Sequence, residues 1–244
     1  MTATALNAST LLAVTSLAKH FTLHTQGGTR MAVLADLSFS LAEQECLVLD
    51  GPSGAGKSTL LRCLYGNYLA TLGAIRVREA GRGEWHDMAN ATPQQVIELR
   101  RTTLSYVSQF LRVIPRVPTL SSVAEPLQRL GVAPAEAHGR AAALLTRLNL
   151  PERLWHLPPA TFSGGEQQRV NVARGFIAER PLMLLDEPTA SLDATNRDVV
   201  IALIREACAR GAGVIGIFHD ATVRDAVATR RLPLQPLPAQ SIPA

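Results

Sequence analysis

Gly51-Pro52-Ser53-Gly54-Ala55-Gly56-Lys57-Ser58 is the stretch whose reading decides the fold. A short apolar run, Cys46–Leu49, precedes it, and Thr59–Tyr65, of helical character, follows. Strand, glycine-rich loop and helix together are the context in which this pattern binds a nucleotide triphosphate. The glycines let backbone N–H groups point into the loop and cradle phosphate oxygens. The helix that starts beyond Ser58, from Thr59 on, presents its positive dipole end to the same anion. Lys57 is expected to contact the β- and γ-phosphates, and the Ser58 hydroxyl to ligate Mg²⁺.

Working outward, three more apolar runs follow the pattern of buried parallel strands: Thr103–Val107, Leu182–Leu185 and Val214–Phe218. Polar residues of catalytic type come next in each case: Gln109, Asp186-Glu187 and His219. Open α/β sheets bind ligands beyond the carboxyl ends of their strands, so four strand ends are expected to deliver these groups to one rim. Asp186 is expected to hold Mg²⁺, and Glu187 to orient or deprotonate the attacking water, which makes hydrolysis the expected outcome of binding. An Asp-Glu pair after a strand says little alone, because acidic turns are common. It gains weight from Pro188-Thr189-Ala190-Ser191-Leu192-Asp193, where Asp193 also suits a helix N-cap before Ala194–Arg210.

Thr161-Phe162-Ser163-Gly164-Gly165-Glu166-Gln167-Gln168-Arg169 supplies the second key stretch. Ser163 and Glu166 fit a capping box opening a helix to about Glu179. Gly164 and Gly165 leave backbone N–H groups open to an approaching anion. Together with the phosphate loop and Asp186-Glu187, this stretch resembles the ATP-binding cassette (ABC) ATPases, from about Leu11 to Ala228. The resemblance implies an α/β P-loop NTPase (RecA-like) nucleotide-binding domain with ATP and Mg²⁺ as cofactors. It implies that Ser163–Glu166 faces the γ-phosphate held by the loop of a second ATPase subunit, and that Asp193 lies in the D-loop touching that partner. It assigns Gln109 to sensing Mg²⁺ and the γ-phosphate, and His219 to contacting the γ-phosphate. Phe21 stands where the family places an adenine-stacking aromatic, usually Tyr; a core aromatic is the competing reading. The stretch has Phe162 and Glu166 where Leu and Gln are common elsewhere in the family.

Around this core, Leu11–Leu17, Phe21–Leu23 and Val33–Leu41 have strand character, with a turn signal at Gln26-Gly27-Gly28. They suggest a small N-terminal antiparallel sheet. Between Gln109 and Ser163 repeated prolines break the chain into short helices, the clearest opening at Pro134 with Ala137, Ala141, Leu144, Leu145 and Leu148 on one face. This reads as a helical lobe over about 110–163, inserted in a single ABC ATPase domain spanning 10–230. Residues 231–244 read as a Pro-rich tail without an assigned role.

At 244 residues and 47% hydrophobic, the chain suits one large α/β domain. A formal net charge of +4 with no dense Lys/Arg block gives no case for nucleic acid. Cys46, Cys63 and Cys208 form no CxxC pair and read as reduced, mostly buried side chains. No apolar run approaches a membrane span, and the N-terminus lacks a basic signal-peptide start. A cytoplasmic protein is expected, without membrane insertion of its own.

Less general segments narrow the resemblance: Ser105–Arg116, Leu148–Pro158 and Thr161–Asn171. They are similar to the PhnL family of ATP-binding subunits in the carbon–phosphorus lyase system for phosphonate degradation. That likeness implies the soluble partners PhnG, PhnH, PhnI and PhnJ, with either a homodimer or a heterodimer with a PhnK-like ATPase. It also implies association with formation of ribose 1-methylphosphonate 5-triphosphate from ATP and methylphosphonate. The motifs themselves are those of a γ-phosphate hydrolase, so ribosyl transfer is expected of another subunit. The alternative is a cytoplasmic ATPase of a lipoprotein-release or macrolide-type exporter, with a permease helix received near Gln109 and Phe110–Arg116.

Overall fold

The computed structural model describes residues 7–23, 29–111 and 115–237. The turn expected at Gln26-Gly27-Gly28 and residues 238–244 of the expected tail lie outside these. Strands β1 Thr10–Leu23, β2 Thr29–Ala42, β4 Leu72–Arg78 and β5 Trp85–Asp87 make an antiparallel sheet in the order β2-β1-β4-β5. Strands β3 Cys46–Asp50, β6 Leu104–Val107, β7 Leu182–Asp186, β8 Gly213–Ile217 and β9 Arg230–Pro233 make a parallel sheet in the order β6-β7-β8-β3-β9.

The central strands are apolar up to the carboxylates that end β3 and β7, because both of their faces are covered. Every residue of β7 and β8 is buried. Alternation sorts their side chains into two cores. Leu47, Leu49, Leu182, Leu184, Ile215 and Ile217 meet the antiparallel sheet and helix α1 Lys57–Leu64. Val48, Met183, Leu185 and Val214 meet the helices of the other side, α5 Gly164–Phe176 and α6 Ala194–Ala209. Burying each such aliphatic side chain contributes roughly 1.5–3 kcal/mol. The parallel sheet is therefore fixed from both sides, and its strand ends form a firm rim.

The lobe consists of α3 Thr119–Gln128 and α4 Pro134–Arg147, followed by two single 3₁₀ turns, all between β6 and α5. Ala137, Ala141 and Leu145 of α4 pack into the same core as α5, so the lobe shares the domain's interior.

Several elements differ from the sequence reading. The two N-terminal segments are one long strand, β1, whose pairing with β2 slips between Val14 and Leu17 and again to Lys19. Ser16 sits there at φ 47°, and such a bulge puts the apolar alternation out of phase. Strands β4 and β5 and helix α2 Pro93–Thr102 occupy a region left unassigned from sequence. Helix α5 stops at Phe176, short of Glu179, which adopts φ 48°.

The boundary expected after residue 230 requires correction. Arg230–Pro233 is a strand paired in parallel with β3, and Leu234 is buried beyond it. Pro233 is tolerated because β9 is the edge of the sheet. Among the described residues no helix is long and apolar enough to cross a membrane.

Candidate nucleotide site

Strand β3 opens directly into the loop Gly51–Gly56, and α1 starts at Lys57. Gly56 has φ +86°, and a Cβ there would lie 2.9 Å from the Val33 carbonyl oxygen. Only glycine lets the loop close against β2 at this point. Gly54, at φ +81°, has open space around its Cβ position, and Pro52 and Ser53 are exposed beside it. The Lys57 ammonium is folded into the loop, donating to the Gly51 and Pro52 carbonyls at 2.5 and 2.9 Å. Its charge therefore stands inside the cradle. Ala55 is buried at the loop's base, and Thr59 continues α1.

Asp186 closes β7 and is 1% exposed. Ser58 Oγ donates to its Oδ1 and the Tyr106 hydroxyl to its Oδ2, each at 3.0 Å. Burial holds the Asp186 carboxyl above its ordinary range, while the two hydrogen bonds pull it down. A hydroxyl and a buried carboxylate this close form the hard oxygen set that Mg²⁺ takes. A cation would also offset the burial penalty, so the residues fit the metal.

Glu187 comes next, at φ 54°. A left-handed non-glycine residue costs on the order of 1–3 kcal/mol. The bond from its N–H to the Ile217 carbonyl, 3.1 Å, pins it there and turns its side chain to the rim. Glu187 Oε1 lies 2.6 Å from His219 Nε2, and Oε2 accepts from Gln109 Nε2 at 3.2 Å. The ends of β6, β7 and β8 thus meet on one carboxylate. Its side chain is 14% exposed, that of His219 65%. The arrangement can cradle a polyphosphate, hold a divalent cation beside it, and present one oriented carboxylate to water.

Sequence reasoning missed three residues that hold this arrangement. Tyr106 fixes Asp186. Gln168 Nε2 donates to the Glu187 carbonyl at 3.3 Å, and Asn171 Nδ2 to the Ser108 carbonyl at 2.5 Å. Gln168 and Asn171 are both buried on α5 three residues apart. Two amides at that spacing inside an otherwise apolar helix face were the available signal.

The stretch Ser163–Glu166 stands apart from this cluster. Its box is complete: Ser163 Oγ accepts from the Glu166 N–H at 3.4 Å, and Glu166 Oε2 accepts from the Ser163 N–H at 2.9 Å. Bonds from the Ser163 hydroxyl and backbone hold the Glu166 carboxyl below the usual range. Ser163 and Gly164 are exposed. A Cβ on Gly165 would lie 2.9 Å from the Ser191 carbonyl oxygen, so glycine lets α5 start tight against the Pro188–Asp193 turn. Asp193 caps α6 through the Asn196 N–H at 2.8 Å and is exposed. Among the described residues no hydrogen bond joins this face to the phosphate loop.

Phe21 is half-buried on β1, edge-on to Tyr68 with ring centroids 5.3 Å apart, and Lys19 Nζ lies 4.9 Å from its ring centre. The three cysteines are free. Cys46 and Cys63 are buried and Cys208 half-buried, and burial pushes the Cys63 thiol up to about 11.

The family model described as ABC transporter matches residues 34–190. An uncharacterized ABC transporter ATP-binding protein of Mycobacterium tuberculosis is 36% identical over 80% of this chain, and this match spans only 57% of that protein's length. The lipoprotein-releasing system ATP-binding protein LolD of Maricaulis maris is 38% identical over 80% of this chain and 82% of its own. The macrolide export ATP-binding/permease protein MacB of Marinobacter nauticus is 35% identical over 81% of this chain and 30% of its own. The dimeric solved structure of the bacterial ABC transporter cassette MJ0796 matches with a TM-score of 0.83 and 25% identity, over 93% of this chain and 95% of that one. Its post-hydrolysis dimer bound to ADP and Pi matches with a TM-score of 0.82 and 26% identity, over 92% of this chain and 94% of that one.

Proposed function

This chain belongs to the ABC transporter family, and we propose that it is an ATPase that uses ATP and Mg²⁺, hydrolysing ATP enclosed between two ATPase subunits to move a partner assembly. The meeting of Gln109 and His219 on Glu187, beside Ser58 and Asp186, carries this reading. In it Gly51–Thr59 cradles the phosphates, with Lys57 on the β- and γ-oxygens. Ser58, Asp186 and Gln109 serve the metal. Glu187 activates water, His219 contacts the γ-phosphate, and Phe21 offers its ring to adenine. Ser163, Gly164, Gly165 and Glu166 complete the site of the other subunit, with Asp193 at the same contact. The MJ0796 dimers support a two-subunit arrangement.

Two readings of the assembly follow. The relatives' names favour a cytoplasmic ATPase of a lipoprotein-release or macrolide-type exporter, partnered by a membrane permease. The specific observation favouring the other is the run of segments Ser105–Arg116, Leu148–Pro158 and Thr161–Asn171, which resemble PhnL-type subunits. These segments include the start of the lobe and its return to α5, with Phe110 and Leu157 exposed on them. In this reading these exposed side chains face a partner. In that reading the assembly is the carbon–phosphorus lyase system, with PhnG, PhnH, PhnI and PhnJ and a homodimeric or PhnK-like second ATPase. Hydrolysis then accompanies formation of ribose 1-methylphosphonate 5-triphosphate, while another subunit transfers the ribosyl group.

The test is co-purification of Glu187→Gln from its native host with Mg-ATP, read by mass spectrometry. Recovery of soluble lyase subunits selects the phosphonate reading, and recovery of a permease selects the exporter reading. Wild-type turnover by Glu187→Gln would overturn the role given to Glu187.

A further inference from the structure

Both carboxylate oxygens of the buried Asp186 are engaged, and by different elements. Ser58, at the start of α1, donates to Oδ1, and Tyr106, on β6, donates to Oδ2, each at 3.0 Å. The Ser58 hydroxyl belongs to the oxygen set that fits a cation. The Tyr106 hydroxyl plays a different part, because its single proton is committed to Asp186 from the neighbouring strand.

Three features hold that phenol in place. Strand β6 pairs in parallel with β7, and Tyr106 stands opposite Leu184, two residues before Asp186. The Tyr106 ring packs against that of Tyr65, which ends α1, with centroids 4.9 Å apart and planes 30° from parallel. The Arg100 guanidinium lies 4.3 Å from the centre of the Tyr65 ring and donates to the Tyr65 carbonyl at 3.0 Å. Both bonds to Asp186 therefore come from groups that are themselves fixed. A carboxylate held at each oxygen cannot turn freely about its last torsion, which is otherwise broad. Oδ2 stays with β6, and Oδ1 stays beside the Ser58 hydroxyl.

One free oxygen and two are different offers to a cation. Mg²⁺ is small, demands near-octahedral geometry and keeps several waters beside one or two carboxylates. Ca²⁺ takes more oxygens in looser geometry and accepts a carboxylate through both of its oxygens. We infer that Tyr106 is a positioning residue for metal choice: by engaging Oδ2 it leaves Asp186 one oxygen for the cation and favours Mg²⁺ over Ca²⁺. The inference rests on the proposed use of ATP and Mg²⁺, and it adds how this chain selects that metal.

The test is binding, separate from turnover. Calorimetry on the full chain gives its affinity for adenylyl imidodiphosphate, a non-hydrolysable ATP analogue, in EDTA, in Mg²⁺ and in Ca²⁺. Wild type is expected to bind the Mg²⁺ complex more tightly than the Ca²⁺ complex. Tyr106→Phe keeps the ring on Tyr65 and removes only the hydroxyl. It should cut the preference for Mg²⁺ by about tenfold, the worth of one hydrogen bond to a charged group, with affinity in EDTA unchanged. Para-aminophenylalanine in place of Tyr106 supplies a donor again and should restore the preference. A merely structural role would move all three affinities together. The inference is overturned by equal affinity of wild type for the two complexes, by a preference unaltered in Tyr106→Phe, by a parallel loss in all three conditions, or by no recovery with para-aminophenylalanine. Any of these leaves the proposed function standing as long as wild type binds the analogue more tightly in Mg²⁺ than in EDTA. If Mg²⁺ adds nothing to wild-type binding, the proposed metal role fails, and the inference with it.

Discussion

The phosphate loop and the Ser163–Glu166 face are both helix N-termini proposed to receive phosphate, yet they differ in what surrounds them. Around the loop, β6, β7, β8 and α1 lend groups to one another: Ser58 to Asp186, Gln109 and His219 to Glu187. At the other face each bond is local, Ser163 to Glu166 within one helical turn, and the open side is solvent. One face is tied together by contacts across the fold; the other presents a finished helix start with only local bonds. In the proposed function a single copy thus carries two halves of two different sites.

The largest effect expected follows from the closed site. Glu187→Gln should lower turnover by about 10²–10⁴-fold, the range of a lost general base. The variant should elute as a dimer in Mg-ATP by size exclusion with light scattering. A persistent monomer at saturating Mg-ATP would mean that the open face binds no second copy.

A sharper test acts on the open face alone. Gly165→Asp puts a Cβ against the Ser191 carbonyl and a negative charge where an anion is expected. Turnover should fall about 10²-fold, as when one stabilising donor is lost, with ATP affinity of the monomer unchanged by calorimetry. Mixing Gly165→Asp with Lys57→Ala chains should restore turnover, because one of the two composite sites is then intact. If Gly165→Asp weakens binding to the monomer instead, the two sites are not separable.

Asp186 gives a smaller effect with a definite sign. Its folded-state pKa is raised by burial, so ionisation opposes folding once the pH exceeds the ordinary carboxylate range. Asp186→Asn should raise the melting temperature of the metal-free chain by about 2–4 °C, near 1 kcal/mol, while abolishing Mg²⁺-dependent hydrolysis. A lower melting temperature would show that the bonds from Ser58 and Tyr106 outweigh burial.

The smallest effect belongs to the local cap. The Glu166 carboxyl is held below its usual range, so its stabilisation is present above the unfolded pKa and is lost as pH falls through the folded one. Wild type should be more stable than Glu166→Gln at pH 7 by about 1 kcal/mol or less. The gap should close in acid, as measured by urea titration at several pH values.

The nucleotide half was legible because its chemistry lies at fixed offsets from strand ends. Gly51–Ser58, Asp186-Glu187, Gln109 and His219 each follow an apolar run that could only be a buried strand. The antiparallel sheet was read only in part. The register slip at Ser16 broke the alternation of β1, and β4 and β5 were left unassigned although Leu72–Arg78 alternates. Helix α2 carried a legible box, Thr92 with Gln95, that went unread. Tyr106, Gln168 and Asn171 could not be given roles from spacing alone, because their partners are backbone carbonyls and carboxylates brought near by tertiary packing.

The final strand of the parallel sheet bears on how the molecule is made. Leu234 N–H bonds the Asp50 carbonyl at 2.7 Å, and its own carbonyl fills the space where a Cβ on Gly51 would sit. The floor of the phosphate loop is thus laid by a residue, Leu234, translated long after Gly51. A nascent polypeptide that already displays Gly51–Ser58 still lacks that floor, and β3 has a bare edge where β9 will pair. Synthesis order therefore delays a finished nucleotide cradle until Leu234 has been added, and a ribosome that stalls before Arg230 leaves a product with an open strand edge and no completed site.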